Sequence, residues 1–281
     1  MDCALVGVGY RPRNRGEQMR KKIPTGIIGM VHLKALPGSP NFAGDLSDVE
    51  RIAIADASTL LAGGVDAILV ENFGDVPFQK KVDAVTIAAM TRIVRSIVEM
   101  SSVPVGVNVL RNDPHAAIAI ASSTGACFIR VNVHIGAMVT DQGLIEGEAA
   151  ETLRLRDSLS SDIAILADVG VKHATPFDEK WSLEQEAKDA WHRGLADALI
   201  VSGNGTGTPT SRVDIERVKH VVQDAPLIVG SGVTCESLPD LSLACAWIVG
   251  TALKRDGKAE NEVELAQVLR LTDAKSSTGD C

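Results

Sequence analysis

Glu71, Asp168 and His32 are the groups in this chain best placed to move protons, because each stands at the end of a short apolar run. Two carboxylates in a partly dry cleft have their pKa values pushed apart, so that one serves as acid while the other serves as base. His32 suits a proton shuttle near neutral pH, and equally suits a hydrogen bond to a main-chain carbonyl. The carboxylates also suit a purely structural task, pairing with Arg130, Arg111 or Lys172 to hold a rim together. Asn72, Asn108, Arg130, Asn132, Lys172 and Ser202 occupy comparable run-end positions and read as substrate-binding groups.

Two further run ends are built for an anion. VGSGV (229–233) and VGTALK (249–254) place Gly230, Ser231, Gly232, Gly250 and Thr251 together as a phosphate cradle. Glycines let main-chain N–H groups approach an anion closely, and the two hydroxyls add donors. A helix beginning near Thr251 would direct its positive end at the same anion, and Lys254 would add charge from its first turn. The glycine-rich SGNGTGTPT (202–210) suits either a part of that cradle or an ordinary loop. His32, Glu71, Asp168 and His173 are suitable metal ligands, but the HxH pair usual on the first strand of metal-dependent hydrolase barrels is missing, so no metal is expected. No cofactor is expected either. A Schiff-base lysine is disfavoured, since no lysine lies on the sixth apolar run; Lys172 is the lysine nearest a strand end in the middle of the chain. No Ser-His-Asp or Cys-His set is recognisable.

The elements that must position these groups follow from the apolar pattern. Eight runs recur: GIIGMVHL (26–33), DAILVEN (66–72), VPVGVNVL (103–110), CFIRVNV (127–133), IAILADVGV (163–171), DALIVSG (197–203), PLIVGSG (226–232) and CAWIVGT (245–251). Near-continuous apolar strands of this kind belong to parallel sheets covered on both faces. Helical spacing follows most of them, over 48–64 with Gly63-Gly64 as a stop, 82–100, after Asp113-Pro114, 182–193, 214–222 and 261–271. Eight β-then-α units in about 250 residues predict a (β/α)8 TIM barrel, which gathers the run ends at one face. A doubly wound open sheet is the alternative, but it needs fewer strands and no GxGxxG turn follows the first one. One barrel domain over 23–272 is expected, between a basic, disordered extension (1–22) and a tail (273–281). The long stretch GAMVTDQGLIEG (136–147) reads as a lid. Its glycines would be hinges, and Met138, Val139, Leu144 and Ile145 would seal apolar surface over the mouth or against a neighbouring subunit.

The formal net charge of −8 disfavours nucleic acid as a partner. The five cysteines, Cys3, Cys127, Cys235, Cys245 and Cys281, are scattered, which suits a reducing cytoplasm. Arg11, Arg13, Arg15, Arg20, Lys21 and Lys22 follow the apolar ALVGVG piece, the wrong order for a secretory signal, and an organelle-targeting segment is the alternative. No apolar run reaches the roughly 18 residues of a membrane span.

Several long strings resemble the BtpA family: GMVHLKALPGSP (29–40), GGVDAILVENFGDVPF (63–78), VPVGVNVLRND (103–113), FIRVNVHIGAMVTDQGLIEG (128–147), ILADVGVKHA (165–174), RGLADALIVSGNGTG (193–207), IVGSG (228–232) and LKRDG (253–257). The resemblance covers about residues 25 to 258. It implies a ribulose-phosphate-binding barrel and, from the family's name, a part in photosystem I biogenesis or stability. Members also occur in organisms without photosynthesis, which implies an older and more general role. The family label of phosphoribosylanthranilate isomerase likeness is a statement about fold. Such isomerases carry a Cys or Asp on strand one, where this chain has Met30, Val31 and His32. Two functions are therefore expected. One is an enzyme of acid–base isomerisation or lyase chemistry on a phosphorylated small molecule, cytoplasmic and homo-oligomeric. The other is a non-catalytic photosystem I factor, associated with thylakoids in a photosynthetic host.

Overall fold

The computed structural model describes residues 23–178, 180–203 and 209–277. The basic extension expected at 1–22 and the glycine-rich loop at 204–208 lie outside the described residues. Eleven strands are present in chain order: β1 (Gly26–His32), β2 (Ala67–Glu71), β3 (Val105–Asn108), β4 (Phe128–Val131), β5 (Ala137–Thr140), β6 (Gly143–Glu146), β7 (Ala164–Val169), β8 (Ala174–Pro176), β9 (Ala198–Val201), β10 (Leu227–Val229) and β11 (Ala246–Val249). The helices are α1 (Leu46–Ala62), α2 (Ala84–Met100), α3 (Pro114–Thr124), α4 (Ala149–Ser158), α5 (Leu183–His192), α6 (Arg212–Val221) and α7 (Leu265–Ser277).

Eight parallel strands close on themselves in the order β1-β11-β10-β9-β7-β4-β3-β2. Because β1 pairs with both β2 and β11, the sheet has no edge and the open-sheet alternative falls. Two apolar sets follow from the period-2 alternation of each strand. Ile28, Met30, Leu69, Phe128, Leu166, Ile200, Ile228 and Ile248 form a cluster inside the cylinder. Residues of the opposite parity, such as Ile27, Val70 and Ile129, pack outward against the helices. Phe128 fills the space left by Gly106, where any Cβ would collide with its ring.

Local chemistry sets the helix ends. The Asp45 carboxylate accepts from the N–H groups of Ser47 and Asp48 and starts α1. Asp113 caps α3 through the N–H of Ala116, with Pro114 in the first turn, and Gly125 ends that helix at φ +90°.

Three expectations need correction. No α-helix starts at Thr251; two three-residue 3₁₀ turns (Thr251–Leu253 and Arg255–Gly257) come first, and α7 begins only at Leu265. The dipole of an eighth helix therefore does not point at the cradle. α7 also runs on to Ser277, past the expected end at 271. The stretch 136–147 is not an unstructured lid. It is a β5–β6 hairpin about the two-residue turn Asp141-Gln142, extended by β8 into a three-stranded antiparallel sheet. Met138 and Ile145 face down onto Val133 and Val171, while Val139 and Leu144 are exposed instead of sealing the mouth.

Candidate functional site

The inward-facing positions at the C-terminal end of the barrel are where the strand pattern turns from apolar to polar. His32, Glu71, Arg130, Asp168 and Ser202 each follow the last inward apolar residue of their strand by two positions, Asn108 follows Gly106 in the same way, and Gly230 and Gly250 follow Ile228 and Ile248 on β10 and β11. His32 pairs in register with Glu71, Glu71 with Asn108, and Asn108 with Arg130. Six polar side chains therefore crown one arc of the cylinder, and two glycines take the other arc, where neighbouring side chains occupy the space a Cβ would need. A Cβ on Gly230 would collide with Ser202 Oγ and Ile200 Cγ2, and one on Gly250 would stand 3.0 Å from His32 Cε1. The result is a cleft of about 560 Å³. Its walls include His32, Glu71, Arg111, Arg130, Asn132, Lys172, Gly230, Ser231, Gly232, Gly250 and Thr251.

The floor is an ion pair. Arg130 donates from Nε to Asp168 Oδ1 at 2.9 Å and from Nη2 to Oδ2 at 2.8 Å, and Asn132 Nδ2 adds a bond to Oδ2 at 3.0 Å. This fork-to-fork geometry is the strong form of the contact. The carboxylate lies behind Arg130 and Asn132, with both oxygens taken up by their bonds, and is not among the residues that line the cleft.

His32 and Glu71 remain at the surface of the cleft. His32 Nδ1 lies 3.0 Å from the Ala259 carbonyl, which requires the proton on that nitrogen and leaves the Nε2 lone pair toward Glu71 Oε1, 4.0 Å away. Its ring stacks on Phe73 at 4.4 Å between centroids. Burial, helped by the charge of Lys254, lowers the imidazole pKa to about 4, so the ring is neutral at physiological pH. Burial pushes the Glu71 carboxyl up, while Arg130 and Lys172 pull it partly back. A carboxyl raised by dryness beside a neutral imidazole is a donor–acceptor pair for one proton. The alternative metal set does not assemble: among the described residues, no three His, Cys, Asp or Glu side chains converge on one point.

Other expected residues take different places. Asn72 does not line the cleft; its amide braces the loop after β3 by accepting from Leu110 N at 2.7 Å and donating to Leu110 O at 3.2 Å. Asn108 lies under the floor, donating to the Arg130 carbonyl and to Asn132 Oδ1. Ser202 is buried beside Gly230 and Arg130, below the cleft wall. Ser231 accepts from Gly203 N at 3.0 Å and so ties the two glycine loops together. Lys254 does not reach the cradle at all. Its Nζ is buried against Asp56 Oδ2 at 2.6 Å on the outer side of the barrel wall.

The apolar pattern does not single out Phe73 or Phe78, which join the cleft from the loop after β2, while Asp141, expected from the loop 136–147 to face ligand or water, joins it from the hairpin turn. It also passes over Glu186. That residue sits on the buried stripe of α5 with Leu183, Ala187 and Ala190, an acid where an apolar side chain is expected. Its Oε2 accepts from Gly170 N and from Trp181 Nε1, both at 3.0 Å, and so holds both ends of the loop carrying Lys172. Burial raises the Glu186 pKa to about 7, against 4.5 in the unfolded chain. The unfolded chain therefore ionises first, and stability from this group is full below pH 4.5 and falls as pH rises to about 7. The loss is on the order of 3 kcal/mol. Glu186→Gln keeps the accepting oxygen and should match wild type in urea melts at pH 4.5 but exceed it at pH 8. A variant weaker by the same amount at both values would contradict this.

No described helix is long and apolar enough to cross a membrane. Among solved structures, the phosphoribosyl anthranilate isomerase of Thermus thermophilus aligns with a TM-score of 0.55 at 12% identity, over 90% of this chain and 100% of that one. The native KDPGal structure aligns with a TM-score of 0.55 at 14% identity, over 90% and 95%. At such identities the likeness is one of fold. Sequence relatives are much nearer. TK2179 of Thermococcus kodakarensis is 48% identical over 88% of this chain and 94% of its own length. The photosystem I biogenesis protein BtpA of Synechocystis sp. is 47% identical over 88% of this chain and 87% of its own. The BtpA family pattern matches residues 23–277, and the chain belongs to that family.

Proposed function

We propose that this barrel is an enzyme for a phosphorylated small molecule, sugar- or nucleotide-like, working by acid–base isomerisation or lyase chemistry. One observation carries the reading: the main chain of Gly230–Gly232 and Gly250–Thr251 lines the same cleft as Glu71 and His32. The phosphoryl group sits against the main chain of 230–232 and 250–251, with the Ser231 and Thr251 hydroxyls at its edge. Lys172, whose Nζ donates to the Gly230 carbonyl at 2.9 Å, and Arg111 supply charge beside it. The rest of the substrate then lies over the Arg130–Asp168 floor, where Asn132 and Arg130 orient it. Glu71 and His32 Nε2 exchange the proton that the reaction moves. The fold likeness to isomerase and KDPGal barrels supports this class without naming a substrate.

A thermal-shift screen against sugar, nucleotide and amino-acid phosphates tests it. A ligand present at 100 times its Kd should add roughly 2.7 kcal/mol of stability. Gly230→Ala forces a methyl group into collision with Ser202 Oγ and to 2.6 Å from Ile200 Cγ2, so the main chain that lines the cleft must shift. This variant should lose at least tenfold in affinity for the phosphate, with an overpacking cost of about 1–3 kcal/mol. Unchanged affinity would move the anion elsewhere.

The Synechocystis relative supports a second reading, a non-catalytic factor for photosystem I assembly or stability. A flat screen across all phosphates, together with co-purification of photosystem I subunits from a photosynthetic host, would favour it. The charged crown of the barrel supports the enzyme. A scaffold has no use for buried charges that cost stability.

A further inference from the structure

Lys172 is the lysine that lines the cleft among the described residues. The case against an imine-forming lysine was one of sequence position, since none lies on the sixth barrel strand, β9. The structure removes that objection. Gly170 turns the chain at φ +67° directly after β7, and Lys172 then reaches across the mouth until its Nζ donates to the Gly230 carbonyl at 2.9 Å. The amine thus stands beside the proposed phosphate cradle. Its hydrogen-bond partner there is a neutral carbonyl and not a carboxylate. The Arg111 guanidinium holds the backbone of the same residue through its bond to the Lys172 carbonyl at 2.5 Å. Arg130 and Arg111 crowd the ammonium with like charge, while Glu71 and Asp168 oppose them. An amine held in a dry pocket among other cations is the standard way to make a lysine nucleophilic.

Resting on the phosphate reading above, we propose that the Lys172 amine condenses with the carbonyl carbon of a phosphorylated aldehyde or ketone, holding it in the cleft as an imine. The neutral amine adds to the carbonyl and gives a carbinolamine. The Glu71 carboxylic acid protonates its hydroxyl, water leaves, and a protonated imine faces a Glu71 carboxylate. That carboxylate is then the base for a proton on the neighbouring carbon, and the imine nitrogen is the electron sink that isomerisation or carbon–carbon cleavage needs. No oxidant or reductant takes part. The substrate class narrows to carbonyl compounds whose phosphate lies close to the reacting carbon.

The test uses full-length protein, dihydroxyacetone phosphate as probe and borohydride as trap, read by intact mass and peptide mapping. Wild type should gain one probe, less a water and plus two hydrogens, on Lys172. Trapping should rise with pH about a midpoint near 8, since burial lowers this amine from 10.5 to about 8. Inorganic phosphate should suppress it, and unphosphorylated dihydroxyacetone should label at least tenfold less. Lys172→Arg, checked for folding by its melting curve, should take no adduct. Equal labelling of that variant, or a midpoint near 10.5, would overturn the proposal. Stabilisation by the probe with no adduct would overturn the imine and leave phosphate binding standing. Labelling by dihydroxyacetone that phosphate does not suppress would leave the lysine chemistry and sink the cradle.

Discussion

Asp168→Ala should cost about 3–5 kcal/mol of stability, because it strands a buried guanidinium. Arg130 and Asp168 are 6% and 1% exposed at their side chains, so water cannot replace the lost partner. Removing the carboxylate deletes both Arg130 bonds and the Asn132 bond in one step. The melting temperature should fall by on the order of 10 °C. The double variant Arg130→Met with Asp168→Leu should recover most of that loss, since a buried pair against well-packed apolar groups is often close to neutral. Both variants should lose ligand binding, because Arg130 and Asn132 then no longer floor the cleft. Differential scanning calorimetry of Arg130→Met, Asp168→Leu and the double variant gives the coupling directly. If Asp168→Ala melts within 2 °C of wild type, the floor is not the rigid ion pair described.

Asp56→Ala should be of similar size, about 3–5 kcal/mol, for the same physical reason at a different place. Asp56 takes Lys254 Nζ at 2.6 Å and the Val263 N–H at 2.7 Å, so its removal strands one buried charge and one buried N–H. This pair joins α1 to the segment that closes the barrel after β11. It also distinguishes two roles for Lys254. A phosphate ligand at that position would be lost in Lys254→Met, and with it the thermal shift produced by phosphate. The geometry here predicts the opposite. Lys254→Met should melt lower than wild type yet respond to phosphate as wild type does, whereas Gly230→Ala should respond less.

The contrast explains what could be read from residue order. Several barrel strands announce an inward polar residue by parity, two positions beyond the last inward apolar one, so His32, Glu71, Arg130 and Asp168 were legible at once. Parity says where a side chain points and not whom it meets. Asp168 and Glu71 look equivalent in the sequence. Only the fold separates them, with Arg130 forked onto Asp168 across β4 and β7 and Glu71 lining the cleft. Lys254 follows a glycine turn just as a phosphate-binding lysine would, but its partner is 198 residues away on α1. A signal for that pair did exist. Asp56 interrupts the buried stripe Val49, Ala53, Ala57, Leu60, as Glu186 interrupts that of α5, and an acid on such a stripe demands a partner. The hairpin was hidden for a different reason. Its strands are four residues long, and the turn Asp141-Gln142 lacks the usual Asn-Gly or Asp-Gly pair, with Gly143 taking the positive φ one position later.

The account depends on an anion meeting the glycine arc of the barrel, beside the proton-carrying arc. Anomalous diffraction from a crystal soaked with tungstate, a heavy mimic of phosphate, tests this most directly. The expected result is a single strong peak within hydrogen-bond reach of the main chain of 231–232 and 251, in the same cleft as Glu71 and Lys172. A peak elsewhere on the molecule, with that place empty at the same tungstate concentration, would contradict it.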